Sequence, residues 1–205
     1  MVGVPTAEFS DRLDGAIGYG ITGQFLYNIP RTPVGVGAEL GFLVYGQETI
    51  RERFGSGGLG RVEVDVITTN NIALGHLLFR LQPLDGNFRP YADALLGLNY
   101  LFTQSRIQDV RGDRPEIAAS TNFDDLAFSF GGAAGFQAIL LDQVSETGQR
   151  GRLALDVRLR YLLGQEADYL KRGSIREDEQ GNLVFDVERS RTNLLMPQVG
   201  VTFIF

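Results

Sequence analysis

The chain ends on Val199-Gly200-Val201-Thr202-Phe203-Ile204-Phe205, where bulky apolar residues alternate with small ones. A period of two puts Val199, Val201, Phe203 and Phe205 on one face of a strand, with Gly200 and Thr202 on the other. Such a strand must cover its apolar face with something, and the same alternation recurs along all 205 residues. No stretch approaches the roughly 18 consecutive apolar residues of a transmembrane helix. The sequence therefore predicts an all-β chain in a single domain, 1–205.

Seven strands are legible between turn signals. The first, near 15–29, carries Ile17, Tyr19, Ile21, Phe25, Tyr27 and Ile29 on one face. Pro30-Arg31-Thr32-Pro33 turns into the second, near 34–48. The third spans 62–82, and its parity slips around Thr68–Asn71, for which a bulge is the simplest cause. Leu84-Asp85-Gly86-Asn87 turns into the fourth, which reaches Phe102. The fifth covers 126–140, the sixth 153–161, and the seventh closes the chain. Polar stretches at 46–61, 104–122 and 165–192 separate them, and Glu179-Gln180-Gly181-Asn182 has the chemistry to turn a small hairpin continuing its flanking strands. Connections thus alternate between short and long. Bacterial single-chain β-barrels, whose connections alternate in this way, have even strand numbers, so seven is one short. Met1-Val2-Gly3-Val4-Pro5 reads as the tail of an eighth, first strand, truncated here.

Composition excludes several function classes. A net charge of −6 disfavours nucleic acid, whose phosphates call for a basic surface. The absence of cysteine removes disulfides and thiol chemistry. His76 is the only histidine, so no multi-histidine metal site forms within one chain, and no cofactor is expected. Residues 1–12 lack the basic start and apolar core of a secretory leader. If the chain is exported, the leader has been removed or the chain begins late.

Alternation alone does not say which face meets water. The face opposite the apolar one carries mostly Gly, Ser, Thr, Asn and Ala, with about one charge per strand, whereas the exterior of a soluble barrel is richly charged. Small residues suit the narrow interior of an eight-stranded barrel, so the apolar face is expected to meet lipid. The segments FRPYADALLGLNYLF (88–102), FSFGGAAGFQAIL (128–140), LALDVRLRYLLG (153–164) and PQVGVTFIF (197–205) carry a resemblance. The chain resembles the small outer-membrane β-barrel proteins of Gram-negative bacteria, the OmpA/OmpX-like class, over essentially its whole length. The resemblance implies an antiparallel up-and-down transmembrane β-barrel in the bacterial outer membrane. Its partners would be outer-membrane lipids and lipopolysaccharide, together with a barrel-assembly machinery that reads Val201, Phe203 and Phe205 on the last strand. It specifies architecture better than activity, because members include adhesins, stabilisers, narrow pores and a few lipid-modifying enzymes.

One polar constellation stands out when the strands are aligned by depth. Gln24, Glu39, Arg80, Asp93, Gln137, Arg158 and Gln198 recur at similar heights on the inward face, with Asp156 and Arg160 beside Arg158. Acids and bases balance. Glu39 and Arg80, on neighbouring strands, are expected to pair directly, while Asp93 and Arg158 would meet across the bore. Either as a gate or as the mere pairing that any buried charge requires, this layer leaves no open channel.

Other candidates carry less. A lipid-modifying enzyme would bring histidine, serine and an acid together, and His76-Leu77-Leu78 offers no His-x-Ser spacing. Arg111-Gly112-Asp113 is an adhesion-type tripeptide, but Gly between charges is ordinary loop chemistry. Glu166, Asp168, Arg176, Glu177, Asp178 and Glu179 make the third long loop strongly charged, as a solvated loop is. The expected role is envelope structure or surface interaction through the loops, without enzymatic activity. The alternatives are a narrow porin-like channel, a lipid-modifying barrel enzyme and a soluble lipid carrier.

Overall fold

The computed structural model describes residues 1–54, 62–109, 118–144, 150–177 and 183–205. Alternating sequence becomes strand nearly throughout: β1 (Val2–Pro5), β2 (Gly18–Asn28), β3 (Val34–Phe54), β4 (Val62–Leu81), β5 (Phe88–Asp109), β6 (Ala118–Val144), β7 (Arg150–Gly164), β8 (Glu166–Glu177), β9 (Leu183–Arg191) and β10 (Leu194–Ile204). One short helix, α1 (Glu8–Arg12), joins β1 to β2. Among the described residues no helix is long and apolar enough to cross a membrane, which does not bear on strands.

Eight strands form a closed ring in the order β1-β10-β7-β6-β5-β4-β3-β2, every neighbouring pair antiparallel. Val2–Pro5 supplies the eighth strand that the strand count called for. It is short: Val4 and Pro5 sit opposite Leu195 and Leu194, while Val2 and Gly3 sit opposite Tyr19 and Gly18. Beyond Met1, which exchanges backbone hydrogen bonds with Gly20, β2 from Ile21 to Asn28 pairs only with β3. In the same way β10 from Val199 onward pairs only with β7.

The two ends of the ring differ. At one end β2–β3 and β4–β5 are joined by short turns, and β6 ends only a few residues before β7 begins. At the other end lie the α1 connection, the ends of β3 and β5, the starts of β4 and β6, and the β8–β9 excursion. Arg111-Gly112-Asp113 and Glu179-Gln180-Gly181-Asn182 fall outside the described residues. The strands run further into the long connections than composition indicated, β5 to Asp109 and β6 from Ala118.

Two expectations need correction. The bulge is not in β4, whose register against β5 runs unbroken from Val64 to Leu81. It lies in β3, where Val44 faces Asn71 and Gly46 faces Asn70, leaving Tyr45 as the extra residue. An extra residue shifts parity only in the strand that holds it. β4 therefore keeps its alternation across Thr68–Asn71, and the change of apolar parity there is a change in which face carries apolar residues, not a slip. The hairpin also does not prolong β7 and β10. β8 and β9 form a separate two-stranded sheet that folds back over the mouth of the ring, packing on β6, β5, β3 and β4.

Around the middle of the ring the outward positions carry no charge and are mostly large and apolar. Ile21, Phe25, Leu40, Leu77, Phe79, Leu98, Phe130, Leu159, Val201 and Phe203 are all exposed. No charged residue interrupts the outward series Tyr19 to Tyr27, Leu77 to Leu81, Ala92 to Tyr100, Leu126 to Leu140 or Leu153 to Leu163.

Candidate functional site

Inward positions build the candidate site, in three storeys. Nearest the short turns is an ionic storey. Arg80 and Asp93 face each other directly across β4 and β5, and the guanidinium forks onto the carboxylate, Nε to Oδ1 at 2.7 Å and Nη2 to Oδ2 at 2.9 Å. Arg158 reaches across the bore, one nitrogen 3.0 Å from Asp93 Oδ2 and another on Glu39. Arg160 also pairs with Glu39. The result is a continuous chain, Arg80–Asp93–Arg158–Glu39–Arg160, with every member almost completely buried.

The expected Glu39–Arg80 pair is not the one formed. Register explains why: Glu39 faces His76 on β4, whereas Arg80 faces Gly35 on one side and Asp93 on the other. Arg80 therefore takes the acid beside it, and Glu39 turns to the two arginines of β7. Arg158 and Asp93 do meet across the bore.

The remaining residues of the layer sit around this chain. Asp156 has neutral partners, accepting from Tyr91 Oη, from Gln137 Nε2 at 3.0 Å and from Thr202 Oγ1 at 3.1 Å. Gln24, opposite Glu39, accepts from Arg80 and Arg158 at 3.4 Å each. It is exposed, because it lies where β2 has a partner on one side only. Gln198 is buried, its Nε2 3.7 Å from Met1 Sδ. Tyr91 and Thr202 were not singled out from sequence. Tyr91 shares the parity of Asp93, and that was the available signal. Its ring also lies under Arg80, 3.6 Å from the guanidinium carbon to the centroid, a geometry that favours the cation.

Above this lies a small polar cluster. His76 Nε2 is 2.7 Å from Ser129 Oγ, which donates to Asn99 Oδ1 at 2.9 Å. The contact exists because Gly97 lies between His76 and Ser129 in the ladder and has no side chain to separate them. The chemistry is limited. With the serine proton on Asn99, the imidazole Nε2 donates to Ser129 rather than removing its proton. Both groups are shut off from solvent, at 3% and 0% exposure. Among the described residues no cluster of His, Asp and Glu is arranged to hold a metal ion.

The third storey is apolar. Leu43, Ile72, Leu74, Leu101, Leu162, Leu194 and Met196 point inward and are buried. The expectation of an interior filled by small residues and charges is corrected here. A bore that excludes water sets no penalty on leucine, and leucine fills space that glycine leaves open. The same core continues into the cap: Phe9 of α1 packs edge-on against Tyr169 of β8, centroids 5.1 Å apart, and against Tyr45 at 6.0 Å. Tyr45, the bulge residue, donates its hydroxyl to Leu170 O at 3.1 Å.

Polar ties fix the cap at its rim. Asp125 and Glu48 accept the backbone N–H of Asp168 and Gly173, at 2.8 and 3.1 Å. Glu188 on β9 receives Lys171 at 3.0 Å and Arg12 of α1 at 3.1 Å. The hydrogen bond from Lys171 and the nearby Arg12 hold the Glu188 carboxyl below its usual range. Glu188 in turn raises Lys171. Of the charged-loop residues, Glu166 and Asp168 both face Arg189, while Asp178 and Glu179 lie outside the described residues.

Compared with known proteins, the chain matches no family model, no curated protein and no solved structure.

Proposed function

We propose that this chain is an integral outer-membrane β-barrel of the OmpA/OmpX-like kind found in Gram-negative bacteria, with a plugged interior. Its role is envelope structure or surface interaction rather than transport or catalysis. The observation that carries this reading is the distribution of polarity. Five of the buried charges inside the ring form one ion-paired chain and Asp156 is held by neutral donors, while the outside carries a continuous apolar band without a charged residue. In water that arrangement would expose a very large apolar surface, far beyond the patches soluble monomers tolerate. In a bilayer it is the favourable one. β2 and β10, of 11 residues each, have the length a tilted strand needs to cross the hydrocarbon layer, about 9–11 residues. Short connections at one end and long ones at the other fit the same class.

On this reading membrane lipids and lipopolysaccharide surround the band, and Val201, Phe203 and Phe205 present the closing strand to the barrel-assembly machinery. The three storeys argue against a narrow channel: ions would have to cross a salt-bridge chain, a leucine layer and an aromatic cap in succession. The buried His76–Ser129–Asn99 order argues against a lipid-modifying enzyme, since the imidazole Nε2 donates to the serine and both side chains are shut off from solvent.

Refolding from urea with and without detergent micelles tests the proposal, read by circular dichroism and by the change in gel mobility on boiling. A β-rich species that forms only in micelles and shifts on boiling supports the membrane barrel. A monodisperse β-rich protein in plain buffer would overturn it in favour of a soluble carrier.

A further inference from the structure

Outside the bore, where β7 passes into β8, the wall carries a groove of about 560 Å³ whose floor includes Phe130 and Leu163. Both are outward-facing and exposed, at 46% and 37%, and they stand at the upper edge of the apolar band. Directly above them stand Arg189 and Arg191 of β9. Ser190 and Thr192 point into the protein and are buried, so the alternation of a strand turns Arg189 and Arg191 outward over that floor.

The two arginines are not equivalent. Arg189 lies 3.4 Å from Glu166 and 3.8 Å from Asp168. Arg191 is exposed and, although Glu166 is its partner in the ladder, its guanidinium has no ion-pair or hydrogen-bond partner among the described residues. Asn193, at the foot of the groove, uses its Oδ1 to accept the Gly164 N–H at 3.2 Å. Its amide NH₂ remains as a further donor.

We propose that this groove binds a phosphorylated lipid, with the phosphate on Arg191 supported by Arg189 and Asn193, and the acyl chains on Phe130 and Leu163. Charge complementarity and position single out that ligand. A free guanidinium presents a planar fork of donors that matches phosphate oxygens two at a time. An apolar floor immediately beneath it suits a molecule whose anionic head is joined to hydrocarbon, and a soluble anion would leave that floor uncovered. Glu166, the one acid in the groove, is occupied by Arg189 and lowers the site's net charge, so Arg191 is the principal contact. The proposal rests on the membrane reading above, which sets the height of the headgroups at the upper edge of the band.

The test uses the full chain refolded into phosphatidylcholine bilayers doped with phosphatidic acid or, in parallel, with diacylglycerol. Retained lipid is read by native mass spectrometry. The expected result is selective retention of phosphatidic acid, reduced about fivefold in Arg191→Ala, since a basic residue near an anionic surface contributes about that factor. Arg191→Lys, which keeps the charge but loses the fork, should recover part of it, and inorganic phosphate alone should not displace the lipid. Equal retention of both lipids, or no change in Arg191→Ala, would overturn the site while leaving the membrane reading intact. Displacement by inorganic phosphate would replace the lipid with a free anion as the ligand. A chain that fails to enter phosphatidylcholine bilayers overturns both.

Discussion

Arg80 and Asp93 face each other on adjacent strands and meet through two hydrogen bonds, 2.7 and 2.9 Å, with both side chains wholly buried. Because Asp93 also lies 3.0 Å from Arg158, it is a carboxylate held between two buried guanidiniums. Asp93→Asn keeps the shape and removes the charge. A buried charge stripped of its partner typically costs roughly 3–5 kcal/mol, and the expected loss in urea unfolding from micelles lies in that range. The double variant Arg80→Met/Asp93→Leu removes both charges of the pair and should cost clearly less. A double variant as damaged as Asp93→Asn would mean that the pair is not what stabilises this storey.

Glu39 takes the corresponding place between Arg158 and Arg160. Glu39→Ala is expected to destabilise the barrel to a similar degree, leaving two guanidiniums underpaired. It should nevertheless leave planar-bilayer conductance at the background level. Leu43, Ile72, Leu74 and Leu162 fill the bore above, and Phe9, Tyr45 and Tyr169 close the mouth. A clear rise in conductance in Glu39→Ala would show that the ionic storey alone blocks the path.

The inward parity of Arg80, Asp93, Arg158 and their neighbours is legible in the sequence, because a strand has only two faces and the other is uniformly apolar. Which of them pair is not, since that depends on register. A shift of two residues keeps every side chain on its face while exchanging His76 for Leu74 or Leu78 opposite Glu39, and a shift of four would bring Arg80 there. The bulge at Tyr45 escapes for the same reason. The cap escapes for a different one. Phe9 lies in a five-residue helix, too short to display a period, entered through Ala7 at φ 54° and left through Asp14 and Gly15 at φ 53° and 72°. Nothing in EFSDR announces that its phenylalanine closes the mouth of a ring. The hairpin was visible in the sequence, but the direction in which it folds depends on contacts with β3 to β6, far away along the chain.

Gly97 gives a sharper test of the interior packing. A Cβ built there would lie 1.9 Å from Gly75 O and 2.7 Å from His76 Cα, both backbone atoms that move only with the sheet. Gly97→Ala is therefore expected to destabilise by at least 1–3 kcal/mol, about the cost of overpacking a filled core, and to break the His76–Ser129 hydrogen bond. At Gly23 nothing lies within 4 Å of the added carbon. Gly23→Ala should be neutral or stabilising by about 0.4–1 kcal/mol, through the entropy of the unfolded chain. Equal unfolding midpoints for the two variants would contradict the close approach of β4 and β5 at Gly97.

The Glu188 clamp predicts how the cap responds to pH. Glu188 is held below its ordinary value of 4.5 by Lys171 first and Arg12 second. A carboxyl depressed on folding adds stability above its unfolded pKa and loses it as pH falls through the lower, folded value. Lys171 is raised above 10.5 by the same carboxylate. Its contribution is complete below that value and is lost as pH rises through the raised one. The tie between α1 and the hairpin should thus hold across neutral pH and weaken on both flanks, below the ordinary glutamate range and above the ordinary lysine range. Amide hydrogen exchange around Phe9, Tyr169 and Leu170, compared at matched intrinsic rates, should show protection falling at both extremes. The ladder between β4 and β5 should keep its protection throughout. In Glu188→Gln the acid-side change attributable to this clamp should disappear, because the remaining amide does not titrate. A variant that retained the full acid response would show that the Glu188 clamp does not set it.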